Sequence, residues 1–269
     1  MTQRAGESAP RHDPSALAGQ AHLEALRSSV DRLRHLAAPL TEEQLTGAAY
    51  PSEWTVAQVL SHLGSAAVIT QRRFEDALAG QDTPDDFAPS VWATWNAKKP
   101  AAQRDDALEA DDALTAQLEK LGPADRDRFS SPMGPMTLDF AQFAGMRLNE
   151  HAFHTWDIEV AADPRATLPE QVASLVVDNL ELIARFTARP TGETTTITVA
   201  TTAPVRTFSI DLTPGNVTFT TTSVEGTADL ELPAEAFARL VYGRLDAAHT
   251  PAGDNGAALD TLRRVFPGP

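Results

Sequence analysis

The chain has no cysteine, which excludes disulfides, a thiolate nucleophile of its own and any sulfur-rich metal site. A bound metal must therefore be held by nitrogen and oxygen, and seven His with 37 Asp and Glu supply the candidates. A mixed His and carboxylate set with one open position belongs to catalytic zinc, whereas structural zinc favours closed, cysteine-rich sets. Positive charge is also scarce. Only 22 Lys and Arg give a formal charge of −15, which repels phosphate backbones and anionic bilayers, so no nucleic acid and no membrane partner is expected. No apolar run approaches the roughly 18 residues of a membrane span. The start, MTQRAGESAPRHDPSALAG, lacks the apolar core and cleavage site of a secretory signal, and the reading is a soluble, cytoplasmic protein. Phosphate-cradling glycine loops, nucleophile elbows and dinucleotide fingerprints are missing too.

Helical periodicity is present from the start of the chain. After a polar tail, residues 1–14, expected to be disordered, Leu17, Leu23, Leu26, Val30, Leu33 and Leu36 recur at helical spacing until Pro39. Ser52 or Thr55 can cap the next helix, WTVAQVLSHLGSAAVITQRRFEDALAG, which Gly80 closes. An acidic, proline-containing connection with Trp92 and Trp95 leads to the charged helix RDDALEADDALTAQLEKLG, whose acidic side reads as solvated. PADRDRFSSPMGPM reads as a loop, and TLDFAQFAGMRLNEHAFHTWDIEVAA as a fourth long helix. Four helices thus fill residues 15–164 as a bundle.

Residues 165–269 follow another pattern. LPEQVASLVVDNLELIARFTA is an amphipathic helix, TTTITVATT, VRTFSIDL and NVTFTTT read as three strands of an antiparallel meander, and PAEAFARLVYGRL and NGAALDTLRRVF as two closing helices. Helices first and strands later predict two domains, an all-α unit and a smaller α+β unit.

Glu150 and His154 stand four residues apart on one helix, about 5–6 Å between Cβ atoms, a spacing that suits two ligands of one ion. Asp157 lies three residues further on the same stripe, placed to orient an imidazole. His62 is on the margin of the apolar face of its helix and can reach the bundle interior. Spacing alone leaves a satisfied core His and an exposed Glu–His pair equally open. Arg147 falls on the stripe as a weaker candidate for a substrate anion, or as a surface arginine balancing nearby acids. The tryptophans read as packing anchors, with Trp92 and Trp95 also able to line a cleft. His22, His35 and His249 read as surface residues, and His151 lies off the stripe.

WTVAQVLSHLGSA, with Trp54, Thr55 and His62-Leu63, followed later by ExxxHxxD at Glu150, His154 and Asp157, resembles the mycothiol-dependent maleylpyruvate isomerase family of the DinB-like superfamily. GTADLELPAEAFARLVYGRL and GDNGAALDTLRRVF resemble that family's small, sterol-carrier-like second domain. The resemblance implies a DinB-like metal-binding four-helix bundle, a Zn2+ or other divalent ion on His62, Glu150 and His154, and mycothiol as thiol cosubstrate. Its Gly-Arg pair falls on Gly243 and Arg244, so Arg244 is expected to bind a substrate carboxylate, a task its planar fork suits. PAEAF, where relatives carry a more aromatic stretch, and the loop around Met133 and Met136 depart from the pattern and leave the substrate open. The implied chemistry is cis–trans isomerisation by addition of a zinc-held thiolate to an activated alkene. The alternatives are a mycothiol S-transferase acting on another electrophile and a non-catalytic metal-binding or regulatory module. The expected partners are small molecules, the thiol and an anionic or electrophilic substrate, in a monomer or homodimer.

Overall fold

In a computed structural model, the structure describes residues 14–50, 53–223, 227–253 and 256–268. The expected tail therefore lies outside the described residues except for Pro14, which begins the first helix. Four long helices form first: α1 (Pro14–Ala37), then, after the short α2 (Glu42–Thr46), α3 (Val56–Ala79), and, after α4 (Phe87–Asn96), α5 (Pro100–Glu119). A single turn, α6 (Pro123–Arg126), and a small hairpin, β1 (Ser131–Met133) with β2 (Met136–Leu138), lead into α7 (Phe140–Ala162). Among the described residues no helix is long and apolar enough to cross a membrane.

The two helices that carry the candidate ligands start at strong caps. Thr55 opens α3 with a capping box to Gln58, and Asp139 opens α7 with one to Gln142; in each, side chain and backbone satisfy each other's otherwise unpaired N–H groups. Gly80 then ends α3 in a left-handed turn. α1 packs on α7 and α3 on α5, while α1 with α5 and α3 with α7 close the ring. Gly64 makes one of these approaches possible: a Cβ there would lie 2.2 Å from the Trp95 ring and 2.8 Å from the Ala107 Cα.

Three expectations change here. The Trp92–Trp95 connection is the helix α4, because Pro89 sits in its first turn, where a missing N–H costs nothing, and Val91 and Trp95 bury one face. The loop before α7 contains the hairpin, turned at Gly134 with φ 56. The acidic helix α5 is not wholly solvated, since Asp111 is only 1% exposed.

The rest of the chain runs α8 (Glu170–Val177), α9 (Leu180–Thr187), β3 (Thr195–Thr202), β4 (Arg206–Thr213), β5 (Asn216–Thr222), β6 (Leu230–Pro233), α10 (Ala234–Val241) and α11 (Gly256–Val265). The single helix expected before the strands is broken at Asp178 and Asn179. The meander forms as expected, with β3, β4 and β5 antiparallel, but a fourth strand, β6, pairs parallel to β3, so the sheet is mixed in the order β5-β4-β3-β6. Four residues are too few for an alternation to stand out, although Leu230 and Leu232 are both buried. Ile197, Val199, Phe208, Ile210, Leu212 and Phe219 point to one side of the sheet and join Phe237 and Phe266 in a core. That core continues without a break into Phe74, Phe153 and Trp156 of the bundle.

Candidate metal centre

α7 presents Glu150 and His154 towards His62 of α3, so that one ligand atom from each lies within 4.8 Å of the other two. His62 Nε2 is 3.2 Å and His154 Nε2 3.8 Å from Glu150 Oε2. Two imidazole nitrogens and one carboxylate oxygen facing a common point fit a divalent ion with an open coordination position. The hydrogen bonding around them supports that fit. Asp157 Oδ2 holds the His154 Nδ1 at 2.8 Å, which makes Nδ1 the protonated nitrogen and leaves the lone pair of Nε2 facing the cluster. Burial lowers the His154 pKa, with the Asp157 bond opposing and the Arg244 charge adding to the shift, so the ring is neutral, the form a metal would need. Burial pushes the Glu150 carboxyl up, but the His62 hydrogen bond and the positive charge that surrounds it in acid, that of Arg147 included, outweigh it and hold it at about 2. Glu150 is thus ionised, and the 48% of its side chain that faces solvent favours the same form.

Asp157 is completely buried. Arg244 grips it with two parallel bonds, Nε to Oδ1 and Nη2 to Oδ2, both 2.8 Å, and Nη1 donates to the Tyr242 carbonyl at 3.0 Å. A chain of contacts therefore runs from the C-terminal region to the ligand: Arg244, Asp157, His154. Gly243, with φ 69 and no room for a Cβ against Gly268, allows the turn that places Tyr242 and Arg244 here.

The cluster opens on a cleft of about 560 Å³ whose walls include Trp54, Asn149, Phe153, Phe186, Arg189, Tyr242 and Arg244. Across Trp54 and His62 lies a second hollow of about 420 Å³, with Gln58, Ser65, Trp92 and Asn96 in its walls. Trp54 stacks on His154 at 6.2 Å and tilts against His62 at 5.5 Å, at the junction of the two. Trp92 lines the second hollow from α4, whereas Trp95 and Trp156 are buried packing residues.

Arg147 is brought to neither the cleft nor the surface. Its Nη2 pairs with Asp111 of α5 and donates to the Leu63 carbonyl at 3.1 Å. His151 joins the same group, with Nε2 3.3 Å from Asp111 Oδ2 and Nδ1 2.8 Å from Ser29 Oγ. His22 is buried against α7 rather than exposed, and His249 packs edge-on against Tyr50 and Trp156; His35 is exposed as expected.

Two polar residues of the cleft wall escaped the sequence reading. Asn149 is 2% exposed, and apart from the interaction of its amide with the buried Tyr242 hydroxyl neither side chain has a hydrogen-bond partner among the described residues. Burial and the Glu150 charge push the Tyr242 phenol up against the opposing Asn149 hydrogen bond and Arg244 charge, so it stays neutral. Asn149 stands next to Glu150 and Tyr242 two residues before Arg244, and that proximity to an ionisable candidate was the only available signal.

A four-helix bundle with a His₂Glu cluster facing a mixed α+β region defines the class of protein. The family model for the mycothiol maleylpyruvate isomerase N-terminal domain matches residues 26–159, and the chain belongs to that family. A crystal structure of the mycothiol-dependent maleylpyruvate isomerase is similar in fold, with TM-score 0.61 at 12% identity over 88% of this chain and 95% of that one. A histidine-to-alanine mutant of the mycothiol-dependent maleylpyruvate isomerase gives 0.60 at 12% identity, over 84% and 89%. No curated protein matches.

Proposed function

We propose that this protein is a metal-dependent isomerase of the maleylpyruvate isomerase type that uses a low-molecular-weight thiol, mycothiol, on an activated alkene. His62, Glu150 and His154 are the metal ligands, and zinc is the ion their nitrogen and oxygen donors suit. The observation that carries the reading is the convergence of these three ligand atoms at the junction of two hollows, which seats two small molecules beside one ion. When bound, the metal supplies a lowered thiol pKa, so that a thiolate exists at neutral pH. A chain without cysteine needs a thiol from outside.

The protein's own residues bind and orient. Asp157 fixes the tautomer and the plane of His154. Arg244 spends three N–H groups on Asp157 and the Tyr242 carbonyl, which leaves two of its five for a substrate carboxylate in the cleft it lines. Phe153 and Phe186 give that cleft an apolar wall that displaces water from an alkene. The other hollow, walled by amides, a hydroxyl and the exposed Trp92 indole, suits the polar body of the thiol. The half-open apolar wall at Phe186 also admits bulkier electrophiles, which is what an S-transferase on the same site requires.

Elemental analysis of wild type and His154→Ala, beside a thiol-dependence assay, tests the proposal. The expected result is about one zinc per wild-type chain, lost in the variant, with turnover of maleylpyruvate only when mycothiol is present. Conjugation without isomerisation across a panel of electrophiles would establish the transferase. No metal after incubation with zinc would overturn the site, and a metal-loaded protein inert with every thiol would leave the non-catalytic module.

A further inference from the structure

We propose that Arg189 is a second carboxylate-binding residue of the cleft, beside Arg244, and that it selects activated alkenes carrying two anionic groups. This rests on the alkene-using reading above and extends it to a residue that neither holds the metal nor pairs with an acid of the protein.

Acids outnumber bases in this chain by 37 to 22, so an arginine ordinarily finds a carboxylate. The Nε and Nη2 hydrogens of a guanidinium point the same way and match the two oxygens of a carboxylate, which makes that edge a seat for a bidentate pair. Arg27 closes it on Glu119, Arg206 on Asp178, Arg239 on Glu235 and Arg244 on Asp157. Arg189 does not. Its Nη1 donates to the carbonyls of Phe186 and Ala188 at 3.0 and 3.1 Å, and no group among the described residues meets its Nε or Nη2.

The fold builds the place of this side chain. The Arg189 N–H donates to the Val265 carbonyl at 2.8 Å, which ties the backbone after α9 to the end of α11. Nη1 sits on carbonyls at the C-terminal end of α9, where the helix dipole favours a cation. With that nitrogen held, the opposite edge of the guanidinium stays available. Arg189 is exposed, and it lines the same cleft as His62, Glu150, His154 and Arg244. Of the acids in that wall, Glu150 is turned to the two histidines, and Glu53 forms no ion pair with Arg189.

The two arginines of the wall therefore have different capacities. Arg244 is 7% exposed and has given its bidentate edge to Asp157, whereas Arg189 keeps that edge whole. Two cations and the apolar side chains of Phe153 and Phe186 in one cleft suit a molecule with two carboxylates and an uncharged, unsaturated middle.

Steady-state kinetics of zinc-loaded wild type, Arg189→Gln and Arg189→Lys with maleylpyruvate and mycothiol, beside melting temperature and zinc content, test the proposal. KM for maleylpyruvate is expected to rise about tenfold in Arg189→Gln, the loss of one charge-assisted pair at a solvated site, with zinc retained and KM for mycothiol unchanged. The gap between variant and wild type narrows as salt is raised. Arg189→Lys, which keeps the charge and loses the fork, lies between the two. An unchanged KM for maleylpyruvate in Arg189→Gln, or an equal rise in both KM values, would overturn the proposal. A lower melting temperature with KM unchanged would overturn it too and leave Arg189 as a cap of α9. If wild type shows no thiol-dependent turnover, the reading above fails separately, and calorimetric titration of the zinc-loaded protein with maleylpyruvate, without thiol, decides the matter. Binding weakened about tenfold in Arg189→Gln supports the assignment. Equal binding by the two proteins, or none by wild type, overturns it.

Discussion

One helix, α7, carries two clusters of nearly the same residue types on different faces. Towards the cleft it presents Glu150, His154 and Asp157, joined by His62 and Arg244; towards the bundle interior it presents Arg147 and His151, joined by Asp111. The inner cluster is sealed from solvent: arginine and carboxylate pair, both nearly fully buried, and the histidine bonds Ser29 through Nδ1 while its Nε2 faces the same carboxylate at 3.3 Å without a hydrogen bond. The outer cluster has one closed end, Arg244 on Asp157, and one open end, where His62, Glu150 and His154 meet with solvent beside them. The difference teaches that the same residue types on one helix are left free for a ligand where no arginine pairs with the carboxylate, as at Glu150, and are used up where one does, as at Asp111.

Arg147→Ala should have the largest effect on that contrast. It leaves Asp111 as a buried charge without its cation, which costs about 3–5 kcal/mol, read from urea unfolding, while zinc content per folded molecule is unchanged. His154→Ala should do the reverse, removing the metal at a smaller cost to the metal-free fold. A small stability loss in Arg147→Ala would break the comparison.

Acid titration sharpens it, because the clusters fail in different windows. Burial pushes the Asp111 carboxyl up, but Arg147 and His151 outweigh this and its pKa is lowered. The stability it contributes is present above the ordinary carboxylate range and is lost as pH falls through its folded value. His154 has a pKa lowered by burial. Below its ordinary value of 6.5 the unfolded imidazole takes up a proton that the folded one does not, so stability falls there first. In metal-free protein, urea midpoints should decline as pH drops below that value, less steeply in His154→Gln. Part of the slope should remain, because burial also lowers the pKa of His22. An unchanged slope would show that His154 is not buried neutral.

The smallest effect expected is that of Trp92→Ala. The indole is 50% exposed, so stability should change by no more than about 0.5 kcal/mol. If the second hollow seats the thiol, KM for the thiol should rise several-fold with kcat unaltered, measured by steady-state kinetics. An equal rise in KM for the alkene would assign the hollow differently.

Much of this molecule was legible before folding. The four long helices, the meander and the placement of Glu150 and His154 on one helix face all follow from periodicities within one element, 3.6 or 2 residues, which a linear sequence displays directly. His62 was legible only as a histidine on the margin of an apolar face. What escaped was short or non-local. α4 was hidden by its proline and β6 by its length, and Asp111 looked solvated because its neighbours on the helix are.

The sequence by itself determined the kind of chemistry: no thiol of its own, nitrogen and oxygen donors at one-turn spacing, and a charge unsuited to nucleic acid. The tertiary structure alone decided which charges meet. Arg244 is clamped on Asp157 across 87 residues of chain, Arg147 is spent on Asp111, and Asn149 of the bundle is brought against Tyr242 of the C-terminal region in the cleft wall. The physical reason is that the energy of a buried polar group depends on what lies opposite it, and that partner comes from another element brought there by packing.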